Sequence, residues 1–568
     1  MPGTYNVTDA AYGGGADPTG KSDCTGAFQA ALDAIAADGG GCLYIPAGDY
    51  QITATLSYNN PASLRLTGDG PQVSNLRGAA AAGGAVTYLA IVNAGAVTID
   101  NISFYNDTYI GSFSAQNVNL SLDNVNWGKI ANVTMLKGTA TQRVNQGIVL
   151  NACNYVDVDN VDVYASVNGI VVSGFSQVNN IRSVTIWTPA GTGVATAAAV
   201  LYQGQVLTAH MSQCVFHDGD RGIYWTRDSS GEVPHLFWGY DLEPNNHSIA
   251  AMEFDYGAQV YLSQCVFSNA NSIVSAVVPG LVFGPAFQGS ALIDSCAWNG
   301  HQGHSVSIQG GTGYKFTGCE FGGNGVYKHA AGTYDEINIG AGVREVTIDT
   351  CHFNVNALAG LGSSNPPRSA VYLAPGAANV TLTNSKGAGA GYGTAAILDG
   401  AGALVRQGNL GLGLPDRTTG AGSTVTAAAP ASLGAPVTIP AGDATAGTVY
   451  KMTCFGTGTM ATGTAVALTV GITLDGVSLG LFQPAALPPA GEPFSWRYEC
   501  YLYVTAAGTS GTVTASEVFT WGSTPTVQNS GPQAVNTTQV NHLALTAQWA
   551  SATGSPAVSC AATLLERI

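Results

Sequence analysis

Short runs in which apolar and polar residues alternate recur along much of this 568-residue chain. The unit is a β-branched or apolar residue, a spacer, a second apolar residue, a spacer, then Asn, Asp or Gln, then an apolar residue. It occurs as VTIDNISF (97–104), LSLDNVNW (120–127), VDVDNVDV (156–163), MSQCVF (211–216), YLSQCVF (261–267), LIDSCAW (292–298), KFTGCEF (315–321) and VTIDTCHF (346–353), with looser copies at IRSVTIW (181–187) and VTLTNSKG (380–387). Alternation by two marks a strand with one face inward, and repetition at tens of residues marks a solenoid whose coils each contribute one copy.

Aligned, one column reads Ile102, Val125, Val161, Val184, Cys214, Cys265, Cys296, Cys319, Cys351 and Ser385. Two residues later comes a column of Phe104, Trp127, Val163, Ile186, Phe216, Phe267, Trp298, Phe321 and Phe353. Both columns are expected to face the interior, so the column cysteines read as a stack of small buried side chains. Steps between copies run from 23 to 51 residues, which predicts coils with loops of unequal length, the longest between Cys214 and Cys265.

The ends depart from this pattern. In SDCTGAFQAALDAIAADGGG (22–41), Ser22 or Asp23 can cap a helix, Phe28, Leu32 and Ile35 share one face, and Gly39 to Gly41 stop it. A solenoid needs such a cap, because its first coil otherwise exposes apolar surface and an unpaired edge. Residues 408–435 lose the repeat and are rich in Gly, Ala, Thr and Pro, as a linker or collar is. Beyond them, alternating strands separated by Gly, Thr and Ala turns, with a hairpin signal at Asp475-Gly476, predict an antiparallel sandwich. The expected organisation is an all-β chain: an N-terminal cap (1–55), a parallel β-helix (56–407), the linker (408–435) and a C-terminal β-sandwich (436–568).

Composition agrees. Charged residues are only 10% of the chain and glycines number 74, as suits many short strands and tight turns. No apolar run is long enough to span a bilayer. A net charge of −16 with 19 Lys plus Arg argues against nucleic acid as a partner. The first residues lack a basic and then apolar segment, so no secretory signal is seen, and of the eleven cysteines five follow the strand column, with no CxxC pair or zinc pattern among them. Cytoplasmic synthesis with free thiols is the expectation.

The segment GGGADPTGKSDCTGAFQAALDAIAADGGGCLYIPAGDYQI (13–52) resembles the opening of the pectate-lyase-3-type β-helix family, with Asp17-Pro18-Thr19-Gly20 in place of the usual Gly-Asp-Gly run. That resemblance implies a right-handed β-helix and carbohydrate targets, without implying pectin cleavage. The C-terminal stretches WRYECYLYVTAAG and LALTAQWASATGSPAVSCAATLLERI resemble terminal domains of minor tail proteins from phages of high-GC Gram-positive bacteria. Together the two resemble phage tailspikes, which implies a homotrimer on a virion tail, outside the cell after cytoplasmic synthesis. Other tail proteins and a bacterial surface glycan are the implied partners.

Local charge suggests where chemistry sits. Residues 218–255 hold ten charged side chains among 38 positions, interleaved with Tyr224, Trp225, Phe237, Trp238 and Tyr240. Sugar rings lay apolar C–H faces on aromatic side chains while carboxylates and Arg bond their hydroxyls. Hydrolysis of a glycan uses two carboxylates, and elimination uses a base and a group that neutralises a uronate. The catalytic candidates are Asp218 with Asp220, two residues apart in one turn, and Asp241 with Glu243, which share a face if the chain there is extended. Glu253 and Asp255 form a third alternating pair. Arg221, Tyr224, Trp225, Arg227, Trp238, Tyr240 and His247 are the candidate glycan-binding residues. The same carboxylates can equally bond loop amides, pair with Arg221 and Arg227 or contact a neighbouring subunit.

NGHQGHSVSI (299–308) resembles a Gly-His-Gly-x-Ser segment of polygalacturonases, but their Asn-Thr-Asp and Asp-Asp segments are missing, so His301 and His304 read as turn residues. No metal or other cofactor is implied. The sequence supports a tailspike that binds a bacterial surface polysaccharide and depolymerises it. A non-catalytic tail adhesin and a secreted bacterial cell-wall enzyme are the alternatives.

Overall fold

A computed structural model describes residues 3–567 apart from 80–85, 107–116, 138–143, 269–277, 323–332, 355–366, 388–395, 402–403, 408, 410–423, 435, 440–443, 464–465, 484–487 and 522–523. These residues fall into two compact units: one reaches Arg344, and the other comprises Glu345–Asn356 and the chain from Pro367 onward.

The first unit is a parallel β-helix. Its first sheet stacks Val97–Asn106, Gly128–Lys137, the first half of Val156–Ser173, Asn179–Thr188, Thr208–Asp218 and Leu236–Asn245 in parallel register. Its second sheet stacks Leu56–Asn59, Thr87–Val92, Val118–Asp123, Val144–Asn151 and the later half of Val156–Ser173. Ala198–Gln203, Arg221–Thr226 and Ala250–Phe254 continue it. Each coil passes once through both sheets.

One residue per coil bends the first sheet's strands. Asn101, Asn132, Asn160, Ser183, Gln213, Asp241, Gln264 and Ser295 all lie at φ between 50° and 58°. This left-handed conformation is one that Asn and Asp tolerate better than most residues. The asparagines also bond along the axis: Asn160 Nδ2 donates to Asn132 Oδ1 at 2.7 Å, and Asn132 Nδ2 to Asn101 Oδ1 at 3.3 Å. Directly after each corner comes the inward column, with Ile102, Val161, Val184, Cys214, Cys265, Cys296 and Cys319 all buried. The next inward row is aromatic toward its end, where Trp298 stacks between Phe267 and Phe321 at 4.8 and 4.7 Å. All eleven cysteines are free thiols.

The register corrects the repeat reading in two places. LSLDNVNW belongs to the second sheet, so Val133 and Met135, not Val125 and Trp127, sit between Ile102–Phe104 and Val161–Val163. Trp127 is 60% exposed, stacked on Tyr155 at 4.6 Å. The second correction is larger. Residues 218–255 are no long excursion but regular coil, in which Leu242 takes the column position opposite Cys214. The 51-residue step is two coils, and the copy YDLEPN escaped notice because Asp241 and Pro244 disguise it.

The N-terminal cap is a helix over Thr25–Ala37 that buries Phe28, Leu32 and Ile35. Its N-cap is Cys24, whose side chain turns inward, while Asp23 Oδ1 accepts from Thr25 N at 3.0 Å. Gly39 and Gly40, both at positive φ, end it, with Gly40 N bonded to Ile35 O.

The second unit begins with short parallel pairs, among them Ala378–Thr383 with Leu404–Gln407. It continues as two antiparallel sheets, one of seven strands and one of five, enclosing a core that includes Tyr450, Trp496, Tyr498, Leu543 and Trp549. The Asp475-Gly476 turn has positive φ at both residues and joins Leu468–Leu474 to Val477–Phe482, as its sequence demands. Of the 408–435 stretch, residues 408, 410–423 and 435 lie outside the described residues, and Thr424–Val425 and Ala431–Ser432 are strands of the two sheets. Among the described residues no helix is long and apolar enough to cross a membrane.

Candidate functional site: a groove on the first sheet

In a parallel sheet, outward side chains align in rows along the solenoid axis, one per coil. Two such rows on the first sheet bracket a groove of about 660 Å³. One row reads Asp157, Asn180, His210, Trp238, Tyr261 and Leu292. The other reads Asp159, Arg182, Ser212, Tyr240, Ser263 and Asp294.

The first row passes from polar to aromatic. Asn180 Nδ2 donates to Asp157 Oδ1 at 2.7 Å, and His210 Nδ1 lies 3.1 Å from Asn180 Oδ1. His210 then meets Trp238 edge to face, and Trp238 lies flat on Tyr261 with 4.1 Å between centroids. In the second row, Arg182 is held by Asp159 at 2.9 Å. Tyr240 is 48% exposed and has small serines on the strands to either side. Large exposed aromatic and aliphatic side chains (Trp238 at 44%, Leu292 at 39%) therefore line a concave, hydroxyl- and carboxylate-edged surface.

The sequence candidates separate into three places. Trp238 and Tyr240 are in the groove. Arg221 and Tyr224 lie on the outer face of the second sheet: Arg221 pairs with Glu253 and packs over the Tyr224 ring at 4.2 Å, and Tyr224 Oη donates to Asp255 at 2.7 Å. Burial pushes the Glu253 carboxyl above its usual range, although Arg221 pulls the other way. Arg227 is exposed near this group, over Tyr256 at 5.0 Å.

The remaining candidates occupy structural positions. Asp220 is 3% exposed and accepts from Gly191 N, Thr192 N, Thr192 Oγ1 and Ser248 Oγ. Burial works to raise its pKa, but those bonds outweigh it and hold the carboxyl low. With Arg221 donating to Ala195 O, it clamps the 189–197 loop. Asp218 points to solvent at φ 59 and accepts from Asn246, so the two aspartates do not converge. Asp241 is a left-handed corner, which breaks the extended geometry that the Asp241–Glu243 pairing assumed. Glu243 accepts from Asn245 at 3.1 Å. Trp225 is a core residue, packed against Tyr202, Phe237 and Phe254. His247 is fully buried, and burial, followed by the charges of His217 and His301, lowers its pKa to about 3. Trp225 and His247 are thus not groups that can meet a glycan at the surface.

His301 is also buried, with Nε2 at 3.1 Å from Phe267 O, and desolvation lowers its pKa to about 4. His304 Nδ1 accepts from Asp335 N at 3.0 Å. Both act in turns. The sequence reading missed His210, Tyr261, Asn180, Arg182 and Asp294. Arg182, Tyr261 and Asp294 occupy outward positions of the copies IRSVTIW, YLSQCVF and LIDSCAW, while Asn180 and His210 stand one residue before IRSVTIW and MSQCVF.

Coils, corner ladder and groove define a right-handed parallel β-helix with an exterior groove. Residues 5–274 match the family model described as rhamnogalacturonase A/epimerase, pectate lyase-like, which bears out the resemblance seen at residues 13–52. No curated protein matches the sequence. Three solved structures show similar coils. The catalytic unit of the GH87 α-1,3-glucanase from Streptomyces thermodiastaticus is 18% identical with TM-score 0.40, covering 72% of this chain and 69% of that one. The pre-mature gene product 12 of bacteriophage phi29 is 14% identical with TM-score 0.49, over 72% and 56%. Tailspike protein 3 of bacteriophage CBA120 is 14% identical with TM-score 0.43, over 71% and 59%. The chain thus spans less than two thirds of the length of either phage protein.

Proposed function

We propose that this chain is a tailspike-type protein that binds a bacterial surface polysaccharide along the first-sheet groove. The observation that carries the reading is the Trp238–Tyr261 stack beside the open ring of Tyr240, edged by Asn180, His210 and Asp294. Aromatic rings beside hydrogen-bonding groups suit sugars, whose rings have apolar faces and polar rims. The pectate lyase-like match supports a carbohydrate target. Trimerisation through the C-terminal sandwich and a place on a virion tail complete the proposal. Binding of purified host-surface polysaccharides by the full chain tests it: retention on at least one glycan, lost in Trp238→Ala, is the expected result.

A second reading, depolymerisation, draws support from the second-sheet cluster. There Glu253, with its raised pKa, stands two residues from Asp255, as an acid and a carboxylate partner would. New reducing ends lost in Glu253→Gln, at unchanged melting temperature, support cleavage. Product formation that survives both Glu253→Gln and Asp255→Asn removes this pair from the mechanism.

A further inference from the structure

We propose that the groove accepts an uncharged glycan lying along the solenoid axis, and that Tyr240 divides it into two sugar subsites; this rests on the glycan-binding reading above. Tyr240 is flanked in its row by Ser212 on one strand and Ser263 on the next. Beyond the serines stand Arg182 on one side and Asp294 on the other. Serine side chains are short, so each leaves a gap one coil wide beside the tyrosine ring. At roughly 4.8 Å per strand, Arg182 to Tyr240 and Tyr240 to Asp294 each span roughly 9.6 Å between backbones, room for a sugar ring standing against either face of Tyr240. The gap centres are separated by the same two coils, so sugars held in them are non-adjacent units of one chain running with the axis.

Charge selects among glycans. The groove's cationic side chain, Arg182, is engaged by Asp159. Asp157 and Asp294 add negative charge along the lining, and the whole chain carries −16. The rows' lysines, Lys129 and Lys315, stand one coil beyond the lining at either end. A uronate placed in the Ser263 gap faces the Asp294 carboxylate, and among the described lining residues the one Lys or Arg is Arg182, already engaged by Asp159. Hydroxyl and N-acetyl groups meet acceptors and donors at Asp294, Ser263, Ser212 and Asn180 without that penalty.

The test is an array of bacterial polysaccharides and their oligosaccharides with neutral, N-acetylated and uronate-bearing members, probed with the full chain. The expected outcome is binding of neutral or N-acetylated members, weakened at least tenfold by Tyr240→Ala with the melting temperature kept. Asp294→Lys is expected to admit uronate-bearing members. Wild-type preference for uronate-bearing glycans overturns the charge assignment, and neutral-glycan binding indifferent to Tyr240→Ala overturns the two subsites. Silence across the array overturns the glycan-binding reading itself.

Discussion

Trp238 and Tyr261 lie face to face, 4.1 Å apart, at the same register position of adjacent coils. The parallel ladder sets this spacing: equivalent outward side chains repeat at about the thickness of an aromatic ring plus a van der Waals contact. Aromatic residues placed at one row position on consecutive coils are thereby driven to stack, worth roughly 0.5–1.5 kcal/mol beyond the area buried. The floor of the groove is therefore rigid before any ligand arrives, which lowers the entropy cost of binding.

Replacing Trp238 with Ala is expected to weaken glycan binding about tenfold, or about 1.4 kcal/mol, with little change in stability because the ring is half exposed. Calorimetric titration alongside thermal melting checks both parts. A large fall in melting temperature would show that the stack serves the fold and not the ligand.

Asp220 and Asp218 should behave very differently although two residues apart. Asp220→Ala leaves the donors of Gly191, Thr192 and Ser248 without their carboxylate, and is expected to cost about 2–4 kcal/mol and to open the 189–197 loop to protease. Asp218→Ala, at an exposed corner, is expected to cost under about 1 kcal/mol. Denaturant unfolding and limited proteolysis compare them.

His247 and His301 in the first unit and Glu517 in the second should respond to pH in opposite senses. His247 and His301 have folded pKa values lowered to about 3 and about 4, by burial above all. Their contribution is present above the unfolded value near 6.5 and is lost as pH falls through the folded values. Glu517 is the reverse case. It is buried in the sandwich with Tyr498 Oη donating to it at 2.8 Å, and burial raises its pKa. Its contribution is full below the unfolded value near 4.5 and declines as pH rises from there through the raised folded one. Glu517→Gln is expected to stabilise the sandwich at pH 8 more than at pH 5, read as the shift of its melting transition at each pH.

Thiol reactivity gives a separate check on the inward column. Every cysteine except Cys42 is buried, and desolvation pushes the Cys153 and Cys214 thiols up to about 12. A neutral, buried thiol is a poor nucleophile. The buried column thiols Cys214, Cys265, Cys296 and Cys319 should resist a disulfide reagent in the native protein at pH 8, and all eleven cysteines should react after denaturation.

The interior was far more legible in the sequence than the surface. Inward positions carry a strong constraint, so Cys214, Cys265 and Cys296 announced themselves as a column, and Phe28, Leu32 and Ile35 as a helix face. Outward positions obey the same spacing under no common chemistry. Asn180, His210, Trp238 and Tyr261 share a row yet nothing in composition, and only the register reveals it. Charge density misled for a related reason. Asp220 went to a loop clamp, Asp218 and Asp241 to left-handed positions, and Glu253 and Asp255 to the second sheet's outer face, because successive parts of one coil face different directions. Trp225 and Trp238 show the limit most clearly: both are tryptophans of one charged stretch, one in the core and one in the groove.

The left-handed corner has a consequence for how such a molecule can diverge. Between Ile102, Val133, Val161 and Val184 the coils run 31, 28 and 23 residues, yet each corner residue returns to the same place. Insertions are absorbed elsewhere around the coil, so the corner works as a fixed hinge pin on which whole coils can be duplicated, lost or exchanged. Gain or loss of one coil beside Tyr240 would lengthen or shorten the groove by a single rung. Recombination of coils can then alter the outward rows while leaving the fold untouched.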